Sequence, residues 1–161
     1  MEEKFRNFIK ITKILNNKNI TPVLYGSLGL YQIIKPQGEI NDIDFLIPGI
    51  WLKDKWYEFK EYLESYQFHM DNEHEHEFSH SDIVGWIAFG SIEESEKHSG
   101  LNKEKLIPAN YEGAKYLVLS AEQYLNVYKA CLKDSYRQEK KDNTDIKKIE
   151  AIEEYIRNEN Q

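Results

Sequence analysis

The chain has 161 residues, one cysteine and a formal net charge of −7, with 40% hydrophobic and 13% aromatic residues; it is long enough for one domain with a buried core and too apolar for a disordered chain. The acidic balance argues against duplex DNA as a partner, because phosphate contacts need clustered cations, and the single Cys131 excludes an internal disulfide and points to a reducing compartment. No run reaches the roughly 18 apolar residues of a membrane span, and Lys10, Thr12 and Lys13 interrupt the first apolar positions, so the expectation is a cytoplasmic protein without a leader or a membrane partner.

Phe5, Phe8, Ile9, Thr12 and Leu15 recur at helical spacing, and Asn16-Asn17 ends that first helix. Residues 22–25 form a short apolar run, read as a buried strand, and Gly26-Ser27 turns the chain into a helix over 28–34. Residues 35–38 are a loop by composition. Residues 42–47 read as a central strand closed by Pro48-Gly49, and Leu52, Trp56, Phe59, Leu63 and Tyr66 mark a third helix. Three strands are predicted at 68–72, 75–80 and 83–89, with Ser81-Asp82 as the turn between the last two. Residues 91–106 are polar and read as a loop with a helical turn; 116–119 is a short strand. Ser120 with Gln123 has the form of a capping box, and Tyr124, Leu125, Tyr128, Cys131 and Leu132 form the buried stripe that follows. The last helix starts near 142–144, with Ile146, Ile149, Ile152 and Ile156 as its core face. This order predicts a mixed α/β or α+β domain spanning 1–161, with its α/β core at 1–119 and helices at 120–161.

Asp42 and Asp44 lie at i and i+2 of the predicted central strand, so their carboxylates share one face. Two adjacent carboxylates repel each other, and a divalent cation relieves them. Mg²⁺ (or Mn²⁺) suits such a pair, since it takes one or two carboxylates together with substrate phosphates. The pattern also occurs at strand ends that merely face water. Gly26-Ser27, between a strand and a helix, is a phosphate-binding arrangement: glycine lets the backbone approach, and the helix start offers free N–H groups. The plain alternative is a tight turn with Ser27 as a helix cap.

Gly-Ser on a turn, a helix, and then Asp-x-Asp on a strand together resemble the nucleotidyltransferase superfamily. Residues 24–48 are similar to the signature of the small lincosamide- and aminoglycoside-type nucleotidyltransferases and of nucleotidyltransferase-like toxin and antitoxin proteins. Residues 117–150 extend the likeness. The resemblance implies a nucleotidyltransferase-like mixed sheet flanked by helices, with a C-terminal helical segment. It implies that Asp42 and Asp44 hold Mg²⁺ and that Gly26 and Ser27 contact a nucleoside triphosphate. It also implies a cationic helix near the triphosphate. Asn126, Lys129, Lys133 and Arg137 make one stripe on the helix after Ser120, of which Lys129 and Lys133 are the expected phosphate-binding residues. Lys141, Asp142 and Asp145 read as caps and ion pairs of the last helix.

The family pattern also has a third carboxylate on a following strand, as general base and metal ligand. By rough register that slot falls near Gly85; Glu77, Asp82 and Glu93 are the nearby acids. The basic residue common before Asp-x-Asp is replaced by Glu39-Ile40-Asn41. His74, His76 and His80, at even spacing, would share a face on a regular strand and form a metal cluster or an exposed, charged edge. The expected activity is therefore transfer of a nucleoside monophosphate from a nucleoside triphosphate to a hydroxyl of a small molecule, RNA or protein. The alternative is a catalytically degenerate relative that binds a nucleotide or a protein partner. Small members of the family resemble dimers with shared sites, which implies a homodimer.

Overall fold

Asp42–Ile47 (β2) is the middle strand of a seven-stranded mixed sheet in the computed structural model, which describes residues 2–133 and 135–161, with side chains over 2–133 and 144–161. The elements follow in the order α1 (Glu2–Asn16), β1 (Val23–Tyr25), α2 (Gly26–Leu30), β2, α3 (Trp56–Glu64), β3 (His69–Asn72), β4 (Glu77–His80), β5 (Ile83–Ser91), α4 (Ile92–His98), β6 (Ile107–Tyr111), β7 (Ala114–Val118), α5 (Ala121–Leu132) and α6 (Ser135–Glu159). Across the sheet the strands run β3-β4-β5-β2-β1-β7-β6. β2 is parallel to β5 and β1 to β7; the β1–β2 pair is antiparallel. The fold is the predicted mixed α+β sheet flanked by helices.

The period of two along β2 divides the molecule. Ile43, Phe45 and Ile47 point to one face, where they pack with Phe8 of α1, Phe59 of α3 and Phe89 of β5. Phe45 stacks on Phe8 and Phe89 with ring centroids 4.9 and 5.1 Å apart, an aromatic column that anchors this side. Leu46 points to the opposite face, together with Val23, Leu30, Tyr124, Val127, Ile149 and Ile152. Asp42 and Asp44 share that second side, beneath α2, α5 and α6.

Four readings change. The segment after residue 90 is not simply loop: β5 runs to Ser91, whose hydroxyl accepts the Glu94 amide at 3.1 Å and starts α4. Residues 107–118 form a hairpin, β6–β7, whose two-residue turn has Glu112 at φ 50 and Gly113 at φ 88. Ser120 caps α5 by accepting from the Gln123 amide, but Gln123 does not complete a capping box. Its side chain instead exchanges hydrogen bonds with both backbone groups of Asn102, at 3.2 and 2.8 Å. α6 starts at Ser135, ahead of the predicted 142–144, and its buried face is rotated: Ile146 is 40% exposed, whereas Asp145, Lys148, Ile149 and Ile152 are buried. No helix among the described residues is long and apolar enough to cross a membrane.

Candidate active site

A cavity of about 1030 Å³ opens over the second face of the sheet, with Gly26, Ser27, Asp42, Asp44, Asp145 and Lys148 among its lining residues. Four of the six predicted site residues therefore meet in one place. β1 delivers the loop and β2 the carboxylates, because antiparallel pairing sets Tyr25 opposite Asp44. Gly26 has φ +66, and a side chain there would overlap the Asp44 carboxylate. Only glycine both adopts that turn at low cost and lets the backbone lie against the acid. Asp42 Oδ1 is buried and accepts no hydrogen bond among the described residues. A buried carboxylate oxygen without a donor is costly unless a cation completes it, so the Asp42–Asp44 pair fits a divalent ion shared with phosphate oxygens.

α2 spans Gly26–Leu30, and Tyr25 occupies its N-cap position without a side-chain capping bond. Ser27 is thus not the cap. Its hydroxyl accepts from Lys148 Nζ at 3.0 Å, and Lys148, buried in α6, also lies 5.2 Å from the Tyr128 ring centroid. Burial pushes the Tyr128 hydroxyl well up, and its hydrogen bond with Ser27 pulls the other way. Gly29 has a packing role: a Cβ there would collide with the buried Tyr124 hydroxyl.

Lys129 and Lys133 do not line this cavity. At about 100° per residue, the mean direction of the α5 positions that line it (Tyr124, Val127, Tyr128, Ala130 and Cys131) puts Lys129 and Lys133 on the far side of the helix. Lys129 is exposed and pairs with Glu153 at 3.7 Å; Lys133 is exposed at the C-cap. The cation beside Ser27 is Lys148, which the sequence reading passed over. Its signal was its place in the stripe of Ile149 and Ile152, a lysine at core positions. Asp145 belongs to the same stripe and is fully buried in mid-helix, so it is not a cap. Cys131 is half-buried and lines the cavity, where a core position was expected. The side chains of Arg137, Lys141 and Asp142 lie outside the described residues.

The register of β5 corrects the expected slot for a third acid. Trp86 pairs with Asp42 and Ala88 with Asp44, so the slot is Ala88 or Trp86, and Gly85 is off that face. Neither is a carboxylate. One strand further, Glu77 of β4 pairs with Ala88, so Asp44, Ala88 and Glu77 form a row on one face of three adjacent strands. Burial holds the Glu77 carboxyl above its ordinary value, and the charge of Asp42, then those of Glu75 and Asp71, add to this. Glu75 lines the cavity from the turn before β4. Asp82 sits at the β4–β5 turn beside His80. Glu93 is committed elsewhere: Oε2 accepts from the Gly49 amide at 2.7 Å and the Ser91 hydroxyl at 3.1 Å.

The histidines do not converge. β4 begins at Glu77, so His74 and His76 lie in a turn and strand alternation does not apply to them. His76, at φ 53, packs edge-on against Trp56 with centroids 4.8 Å apart, and burial is the main reason its pKa is lowered. His80 faces the Tyr66 carbonyl, Nε2 to oxygen 3.2 Å. Among the described residues no three His, Cys, Asp or Glu side chains are placed to hold a metal ion together. Two carboxylates plus phosphate oxygens remain the arrangement that fits.

The chain matches no model of a known protein family. It is 37% identical over 155 residues to the uncharacterized protein YnaI of Bacillus subtilis (strain 168), covering 96% of this chain and 98% of that one. Among solved structures it superimposes on an antigenic nucleotidyltransferase-like protein from Paracoccidioides brasiliensis with a TM-score of 0.64 at 16% identity, covering 93% of this chain and 75% of that one. The lincosamide antibiotic adenylyltransferase LnuA in its lincomycin-bound form gives a TM-score of 0.57 at 18% identity, covering 94% and 98%. ANT(2")-Ia in complex with adenylyl-2"-tobramycin gives 0.60 at 12%, covering 94% and 88%. The chain belongs to the family of Bacillus subtilis YnaI, and it has the nucleotidyltransferase-like fold.

Proposed function

We propose that this protein is a nucleotidyltransferase that moves a nucleoside monophosphate from a nucleoside triphosphate to a hydroxyl of a small molecule. The observation that carries the reading is the meeting of the Gly26–Ser27 turn, the Asp42–Asp44 pair and the buried Lys148 at one cavity. Two of the solved neighbours are bound to lincomycin and to adenylyl-2"-tobramycin, which supports a small-molecule acceptor.

Mg²⁺ or Mn²⁺ on Asp42 and Asp44 supplies the positive charge that a triphosphate needs there. Gly26 admits the phosphate chain against the backbone, and Ser27 and Lys148 bind its oxygens. Glu77 takes the proton of the acceptor hydroxyl. Its raised affinity for protons suits a base, and Ala88 between it and Asp44 leaves the space open. The new bond joins the acceptor oxygen to the α-phosphorus, the α–β bridge breaks, and pyrophosphate leaves. A second reading, a binding protein without transfer, is favoured by Trp86 and Ala88 standing beside Asp42 and Asp44, where the nucleotidyltransferase resemblance implies a third acid.

Thermal unfolding with each of the four nucleoside triphosphates, with and without Mg²⁺ or Mn²⁺, tests the site. Ligand at about 100 times its Kd stabilises by about 2.7 kcal/mol. The expected outcome is a metal-dependent shift that disappears in Asp42→Asn/Asp44→Asn. An equal shift in the double variant, or one indifferent to metal, overturns the assignment. Nucleotide binding without pyrophosphate release against an acceptor panel selects the second reading.

A further inference from the structure

β5 is apolar on both faces, but only one is covered. Ile87 and Phe89 are buried. On the other face Val84 is 79% exposed and Trp86 52% exposed, on an inner strand of the sheet where β5 runs out past the start of β2. An exposed apolar patch marks a binding groove when it is contiguous and rimmed by polar groups. Val84 and Trp86 line a second hollow of about 580 Å³, together with Ile40, Asp42 and Glu77. The two hollows have only Asn41 and Asp42 in common among their lining residues. Ser27 and Lys148 lie in the first; the exposed indole lies in the second.

A transfer between two substrates needs the acceptor on the side of the reacting phosphorus away from the departing pyrophosphate. We infer that the Val84–Trp86 ledge is the acceptor platform, and that it takes a small hydroxyl compound presenting a flat ring face together with a protonated amine. The inference rests on the nucleotidyltransferase reading for the word acceptor, but not for the binding itself. The ring covers Trp86 and Val84. The amine answers the charge, since the carboxylates of Asp42 and Glu77 both belong to residues lining this hollow. Lys4 is the sole cation lining this hollow among the described residues, and it is engaged: Nζ donates to the Val84 carbonyl at 2.9 Å and more weakly to the Asn41 carbonyl at 3.4 Å. Cation–π attraction to Trp86 adds to the pull on an amine.

The test uses the full-length protein, ¹⁵N-labelled, and follows the Trp86 indole N–H during titration with tyramine and with N-acetyltyramine. Tyramine is expected to shift that signal saturably. N-acetylation and Glu77→Gln should each weaken binding by about 10-fold or more, as for loss of a charge-assisted contact. Trp86→Phe should retain tyramine binding, followed then by the Val84 amide, and Trp86→Ala should lose it. No shift at Trp86 with tyramine overturns the platform, and equal shifts with the acetylated compound overturn the amine. A signal that instead depends on protein concentration, with a dimer by sedimentation that Trp86→Ala dissolves, assigns the ledge to a second copy of the chain and overturns the proposal. Metal-dependent nucleotide stabilisation of Trp86→Ala reads the other hollow. Its absence in wild type as well defeats the nucleotidyltransferase reading and leaves the tyramine result standing.

Discussion

Replacing Lys148 by Gln separates the two cationic positions on which the site could depend. Lys148 is 8% exposed and its ammonium sits 3.0 Å from the Ser27 hydroxyl, at the loop that approaches Asp44. A hydrogen bond from a charged donor to phosphate contributes about 1.5–3 kcal/mol, and about 1.4 kcal/mol is tenfold in affinity. Lys148→Gln should therefore weaken nucleoside triphosphate binding about 10- to 150-fold in the presence of Mg²⁺. Gln keeps a donor for Ser27, so the unliganded protein should unfold within about 1 kcal/mol of wild type. Lys129→Gln loses only an exposed pair with Glu153, a contact contributing about 0–1 kcal/mol, and should leave affinity within about twofold, as should Lys133→Gln. Isothermal titration of the three variants, with far-UV circular dichroism as a check on folding, decides the matter. Lys148→Gln binding like wild type, with Lys129→Gln or Lys133→Gln weakened tenfold, would refute the geometry.

Gly26→Ala tests the close approach at Asp44. A left-handed conformation costs an ordinary residue about 1–2 kcal/mol, and the added methyl would also push the Asp44 carboxylate aside; urea unfolding should show a loss of at least that size together with loss of metal-dependent nucleotide stabilisation, and wild-type behaviour in both would count against the site. Glu93→Gln tests the acid at the far end of β5. Burial alone would raise the Glu93 pKa, but donors from its own amide, the Gly49 amide and the Ser91 hydroxyl outweigh it and hold the carboxyl below its usual value. A folded pKa below the unfolded one stabilises above the unfolded value and loses that contribution as pH falls through the folded one. Because the side chain is exposed, the variant should lose only about 1 kcal/mol at pH 7, with the gap to wild type closing below about pH 4. A gap independent of pH would show that the charge does not matter.

The parts of the site set by local chemistry were legible in the sequence. Asp42–Ile47 declared itself because a period of two puts acids on one face and Ile43, Phe45 and Ile47 on the other. The turn at Gly26-Ser27 needs nothing beyond a glycine between a strand and a helix. Ser120 announced α5, and Ser91 followed by Glu94 carried the same start signal for α4, unread because polar residues dominate the rest of that segment. The β6–β7 hairpin went unseen since its turn pairs Glu112 with Gly113, and glutamate is not a usual residue at positive φ. The third acid could not be placed at all. The pairing of β2 with β5 joins residues more than forty positions apart, and a shift of one residue moves every side chain to the other face. Lys148 was missed and Asp145 was read as a cap for a similar reason: the helical phase was set by isoleucines alone, and buried charges broke it.

The division of labour between the two faces explains why these acids can be tolerated. On the α1–α3 side, Phe8, Phe45, Phe59 and Phe89 fill the space almost without polar atoms, and each is no more than 3% exposed. On the other side β5 becomes progressively smaller, from Trp86 through Ala88 to Gly90. A Cβ on Gly90 would press on Leu46, and a larger side chain at 88 would stand between Asp44 and Glu77. Small residues in mid-sheet forgo packing, at a cost that grows with the space left open. The first face can offset that loss because its aromatic column does not depend on the second. Small residues on β5, a glycine against Asp44 and a carboxylate oxygen without a donor each weaken the apo fold. They are useful together if a charged ligand enters the space they leave. This coincidence at a single cavity, more than the Asp-x-Asp pattern alone, is what favours a binding site for a charged ligand over a solvent-facing strand end.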